Sequence, residues 1–295
     1  MFKILSFQLL EFLKLIVKYK VLSLRDMLRL LYFLKVFSVI TFSALIFQSC
    51  KEKESSNESD PPKSPLKKVE ANFPLEEMFA ELIKEIDSSK ELTSGPTLHY
   101  LSNDESHTSA LVFFDSEKSI KKVIVQDVRK DGSSELCSYY FRGGGLFYWV
   151  SEETKTNGDA FEFTITKSYL DSAEQVVYSC GKTHVEYDSL EFMPFSAIEK
   201  MTKDKSRVIQ LVNQLGPFET LFRGFSDFNG IKFMVVGTDE FTSTLEIDEN
   251  SKGDVSKLLK SPNAFMGKKL NVSFTNYTKE DNIEYQRLLK VTIRK

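Results

Sequence analysis

Histidine and cysteine are scarce in this chain, three of each in 295 residues, and there is a single tryptophan. Three cysteines cannot staple a chain of this length, so a disulfide-built miniprotein is excluded. Three histidines leave little material for the hydrolytic and metal sites that usually need one. With 13 glycines and 8 prolines, collagen-like repetition is also excluded. An excess of charge of either sign is missing, since 39 Lys plus Arg stand against 42 Asp plus Glu, a formal −3. Nucleic-acid binders need a phosphate-facing basic surplus, and that partner class drops out. Gly-x-Ser-x-Gly, His-Glu-x-x-His and a Gly-rich phosphate loop ending in Lys and Ser or Thr are all lacking. What is there is a 41% apolar composition, enough for one large core or two modest ones, so disorder throughout is excluded.

The charge is unevenly divided. Residues 1–49 hold seven Lys or Arg against Glu11 and Asp26, a balance of +5, and the remainder carries 32 against 40, or −8. Within this leader, Val36–Phe47 (VFSVITFSALIF) is an uncharged apolar run of 12 residues behind Arg29 and Lys35. A spanning helix needs about 20 residues. A basic stretch, a short apolar run and then Ser49 before Cys50 give the order of a secretory signal peptide. Residues 1–26 have apolar positions broken by Glu11, Lys14, Lys18 and Lys20, whereas Met27 would open a signal of ordinary length, so translation is expected to start at Met27.

The segment Ile46-Phe47-Gln48-Ser49-Cys50 resembles the lipobox of bacterial lipoproteins. Phe47 and Gln48 depart from the strict pattern, in a loosened form similar to that of the Bacteroidota. Cys50-Lys51-Glu52-Lys53-Glu54 resembles the surface-export signal of the same group. The resemblance implies that Cys50 is lipidated (palmitate and diacylglyceryl chains) and becomes the first mature residue. It further implies a cell-envelope lipoprotein anchored at the outer membrane, on its periplasmic or surface face.

Beyond Cys50, residues 50–73 are charged and rich in Ser and Pro, which reads as a flexible tether. From Pro74, the positions Leu75, Met78, Phe79, Leu82, Ile83 and Ile86 recur at helical spacing, with Glu76 and Glu77 favourable in the first turn. From about Ser109 the period falls to two. Strands are expected at Ala110–Asp115, Ile120–Val128, Leu136–Arg142, Leu146–Glu152, Ala160–Ser168 and Gln175–Cys180. Short turns such as Gly143-Gly144-Gly145 make this an antiparallel meander, covered on its apolar face by the helix. A second helix is expected between Phe195 and Leu215. Then come three strands (Leu221–Phe225, Ile231–Val236, Phe241–Ile247), a helix at Val255–Leu259 and two strands (Leu270–Tyr277, Tyr285–Ile293). That order resembles an OB-type barrel. The expected fold class is therefore α+β: an antiparallel meander packed by an N-terminal helix (74–188), a helical connector (189–217) and a second, small OB-like β-barrel (218–295).

Two clusters are candidates for chemistry. Tyr139, Tyr140, Phe141, Phe147, Tyr148 and Trp149 lie on facing strands, and outward-pointing Tyr140 and Tyr148 would make a stacking platform for a protein or glycan partner. Cross-strand packing explains the same residues without a site. His184, Glu186 and Asp188 alternate, which would project an imidazole and two carboxylates from one strand face as a weak metal or acid/base set. A solvated strand end shows the same pattern. Cys137 and Cys180 fall on the third and sixth strands, about 14 Å apart in a simple meander and beyond disulfide reach, so either both stay as buried thiols or the sheet order is not a simple meander. No cofactor is implied. The expectation is a lipid-anchored, non-catalytic binding protein, against the alternative of an envelope hydrolase using His184 with Glu186 and Asp188.

Overall fold

The structure is a computed structural model that describes residue 73 and residues 75–158, 160–278 and 284–294. The leader, Met27, Cys50, Pro74 and all of the tether except Phe73 lie outside the described residues. The protein is mostly β-sheet with few helices, arranged as an open mixed sheet.

Helix α1 (Glu76–Ser88) begins with Glu76 and Glu77, whose charges suit the N-terminal end of the helix dipole. It buries Phe79, with Leu82, Ile83 and Ile86 packed beside it. Strand β1 (Thr93–Pro96) and β2 (Tyr100–Ser102) each pair with β3 (His107–Phe114). From β3 the chain runs as antiparallel neighbours: β4 (Ile120–Val128), β5 (Ser134–Arg142), β6 (Gly145–Asn157), β7 (Ala160–Leu170) and β8 (Val176–His184). The turn joining β5 to β6 has Gly143 and Gly144 at φ +58° and +80°. Two consecutive positive-φ residues make the type I′ turn whose twist matches its strands, and glycine adopts it without steric cost.

After β8 come a single helical turn, α2 (Tyr187–Leu190), and the short strand β9 (Ser196–Ala197). The helix expected between Phe195 and Leu215 is confined to α3 (Lys205–Asn213). Asp204 sets its start by accepting a hydrogen bond from the Arg207 backbone N–H at 3.0 Å. Before that point, Ile198 and Met201 bond to Ser179, so the stretch runs extended along the sheet edge.

The last third contributes β10 (Phe222–Phe228), β11 (Ile231–Gly237), β12 (Phe241–Glu246), β13 (Lys252–Gly253), α4 (Val255–Lys260), β14 (Leu270–Thr278) and β15 (Glu284–Ile293). Strands β10, β11 and β12 form an antiparallel run, β15 lies parallel to β12, and β14 pairs antiparallel with β15. A bridge from Leu221 to Lys269 ties the start of β10 back to β14. Strand β2 joins both parts of the sheet by pairing with β12 at Leu101↔Thr242 and Ser102↔Phe241.

Two cores result, one on each face of the meander. Trp149, Tyr139, Phe141, Cys137, Val123 and Val125 share a core with Leu211 of α3 and with Phe222, Met234 and Leu245. On the other face, Phe79, Tyr140, Phe147, Tyr148, Tyr169 and Cys180 form the core under α1. Cys137 and Cys180 are free and buried in different cores. Burial pushes the Cys137 thiol up to about 12 and raises that of Cys180 as well. Little thiolate is present at neutral pH, so alkylation of the native protein is expected to be slow at both positions, and complete at both once the unreduced chain is unfolded. Peptide mapping that finds Cys137 joined to Cys180 would contradict this assignment.

Candidate binding surface

Strand alternation decides where each aromatic of the meander goes. The pair Tyr139↔Trp149 faces the core shared with α3, and the next pair, Tyr140↔Tyr148, faces α1. The platform expected from Tyr140 and Tyr148 is thereby corrected: they are only 4% and 5% exposed. Tyr148 lies with its ring centroid 5.4 Å from that of Tyr140 and 5.1 Å from that of Tyr169. Tyr140 donates from its hydroxyl to the Asp87 carboxylate at 3.1 Å. The Lys122 ammonium bonds the same carboxylate at 2.7 Å and sits 4.7 Å from the Tyr140 ring centroid. These contacts fasten the C-terminal end of α1 to the sheet. Burial raises both tyrosine hydroxyls.

The His184 candidate is also resolved by its neighbours. Its Nδ1 accepts a hydrogen bond from the Glu186 backbone N–H at 3.0 Å. The Glu186 carboxylate accepts instead from the Ser189 hydroxyl, at 3.0 Å. Asp188 is exposed in α2. The three side chains thus do not converge on one point, and among the described residues no group of His, Cys, Asp or Glu could hold a metal ion.

Further along the strands on the α1 face of the sheet, to the side of the helix, apolar side chains continue without a cover. Phe161, Phe163 and Ile165 of β7 alternate onto this face, with Leu136 of β5 on the same side. Phe161 is 51% exposed and Leu136 44%. The Phe161 and Phe163 rings are 6.3 Å apart, and Tyr187 of α2 stands edge-on to Phe163 at 5.5 Å and 75°. Tyr187 is itself 55% exposed. Its hydroxyl donates to the Glu152 carboxylate at 3.3 Å, and the charge of Glu152 raises that hydroxyl's pKa. Leu136, Glu152, Phe163, Ile165 and Tyr187 border a cleft of about 130 Å³ that Leu190 also lines.

Larger clefts lie elsewhere. One, of about 630 Å³, lies between the end of α1 and the turns near Lys121 and Arg142. Another, of about 520 Å³, is lined by polar groups around Arg207, and these already satisfy one another. Arg207 donates twice to Asp127, at 2.9 and 3.2 Å, and once to Thr108 at 3.1 Å. The Phe161–Phe163–Tyr187 cluster differs in kind, because the exposed rings of Phe161 on β7 and Tyr187 on α2 stand on either side of half-buried Phe163. Comparison with protein-family models, with curated proteins and with solved structures returned no match.

Proposed function

We propose that the chain is a lipid-anchored protein of the cell envelope, held at the outer membrane through Cys50, that binds a protein partner and performs no chemistry on it. The observation that carries the binding role is the ring trio of exposed Phe161 and Tyr187 with half-buried Phe163 on the open end of the meander face. Large rings with one apolar side and one wet side dominate the energetics of protein interfaces, and rings borne by regular elements, as Phe161 and Phe163 are by β7, lose little conformational freedom when a partner lands on them. The lipobox-like run ending at Cys50 supports the anchor, and the charged tether 50–73 supports a domain with reach above the membrane. Residues 218–295 are read in the same proposal as an OB-like barrel, supported by the order β10-β11-β12-β15-β14, the parallel β12–β15 contact and α4 between β12 and β14.

Placing benzoylphenylalanine at residue 161 in intact cells tests the binding surface. A discrete adduct is expected from residue 161, and none of the same mass from residue 228, where Phe228 is 68% exposed at the tip of the β10–β11 hairpin. No adduct at 161, or the same adduct at both positions, would overturn the reading.

A further inference from the structure

The cleft beside Tyr187 has a charge that nothing in its walls answers. Three glutamates border it, at positions 135, 152 and 153, and no lysine or arginine does. Two of the three are matched on the opposite face of the sheet. Glu135 pairs with Lys203, while Glu153 takes Arg129 at 3.5 Å and Lys155 at 3.2 Å. Glu152 lies on the cleft face in register with Leu136 and Ile165, and its only polar side-chain partner among the described residues is the Tyr187 hydroxyl. The lysine that follows on that face, Lys182, has its ammonium on the Leu190 carbonyl at 2.5 Å and 4.7 Å from the Phe195 ring centroid.

We propose that this cleft receives the cationic head of a lysine or arginine side chain projecting from the protein partner, with the Phe163 and Tyr187 rings and the Glu152 carboxylate as its walls. The inference rests on the binding role proposed above and names the chemistry of the contact. A cation gains from ring faces and from a carboxylate at once, whereas an anion is repelled and a neutral group such as a sugar leaves the charge unmatched. Tyr187 has a positioning part as well, since its hydroxyl holds the carboxylate against the ring corner.

The probe is N-acetyl-arginine amide, with the isosteric but neutral N-acetyl-citrulline amide as its control. The full-length lipoprotein in detergent, labelled with meta-fluorotyrosine, reports through the fluorine resonance that disappears in Tyr187→Phe. A saturable shift in the millimolar range is expected for the arginine compound, tighter than for citrulline by about fivefold, and weakened by salt. Glu152→Gln, which preserves shape at a partly exposed position, should remove the preference. Equal affinity for the two compounds, or a preference that survives Glu152→Gln, would overturn the inference. The residue-161 adduct separates the two proposals: if it persists while the arginine preference is absent, the binding surface stands and only its cationic ligand falls.

Discussion

Tyr148→Ala is expected to destabilise the protein by about 3–5 kcal/mol, as truncation of a well-packed core aromatic does. The side chain is 5% exposed and sits among Tyr140, Tyr169, Phe147 and Phe79 under α1. Its removal leaves a void bounded by strands on one side and a helix on the other. The sheet is fixed by its hydrogen-bond ladders, so the void cannot collapse fully, and the helix loses part of the apolar surface it packs on. For a chain of this size the thermal midpoint should fall on the order of 10 °C, which differential scanning calorimetry measures directly. Tyr148→Phe, which keeps the ring, should cost far less. A Tyr148→Ala protein melting with the wild type would show that the ring is not in a core at all.

Gly253→Ala is expected to be nearly as damaging, although it adds a single methyl group. Gly253 has φ +85° and pairs with Val291 where β13 meets β15 in parallel. A Cβ there would lie 2.0 Å from the Val291 carbonyl oxygen, inside any van der Waals contact. That oxygen accepts the Asp254 N–H at 2.9 Å and cannot move without breaking the bond. The strained backbone contributes about 1–3 kcal/mol, and displacement of the strand a further 1–3 kcal/mol or so. Gly144 is the contrasting position: its φ is +80°, but a Cβ there meets nothing within 4 Å. Gly144→Asn should cost under about 1 kcal/mol, since asparagine tolerates the left-handed region. Urea unfolding of both variants measures the difference, and equal midpoints would show that the contact at Gly253 is not close.

Periodicity made much of this architecture legible. The alternations from Ser109 onward correspond to β3 to β8, the helical spacing from Leu75 to Ile86 to α1, and the later runs to β10, β11, β12, β14 and β15. Strands β1, β2, β9 and β13, of two to four residues, are too short to carry a period. The second helix was overextended because Ile198 and Met201 have helical spacing relative to Val208, while the polar stretch between them belongs to an extended edge.

The error over the tyrosines has an instructive cause. Unbroken aromatic runs at 139–141 and 147–149 are the mark of strands covered on both faces, and no residue of such a run should be assigned to water. The real surface was hidden by the opposite habit, that apolar positions of an alternating strand face a core. Phe161, Phe163 and Ile165 do share the face that α1 covers. Length was the available signal. Helix α1 lies across the strands, with Phe73 just before it against Tyr178 of β8, Phe79 against Tyr169 of β7 and Asp87 against Tyr140 of β5, so only its width of about 10–12 Å faces strand β6, whose 13 residues extend over about 43 Å. The helix therefore cannot cover the whole face, and rings to its side remain in water.

The partner trapped at residue 161 supplies the most direct test of the binding surface. Its affinity for the purified wild-type protein is compared with its affinity for Phe161→Ser/Tyr187→Ser, and the melting temperature of each is recorded alongside. Both replaced rings are more than half exposed. The melting temperature should stay within about 2 °C while the affinity falls at least tenfold, about 1.4 kcal/mol. Unchanged affinity in a protein that melts normally would contradict the account.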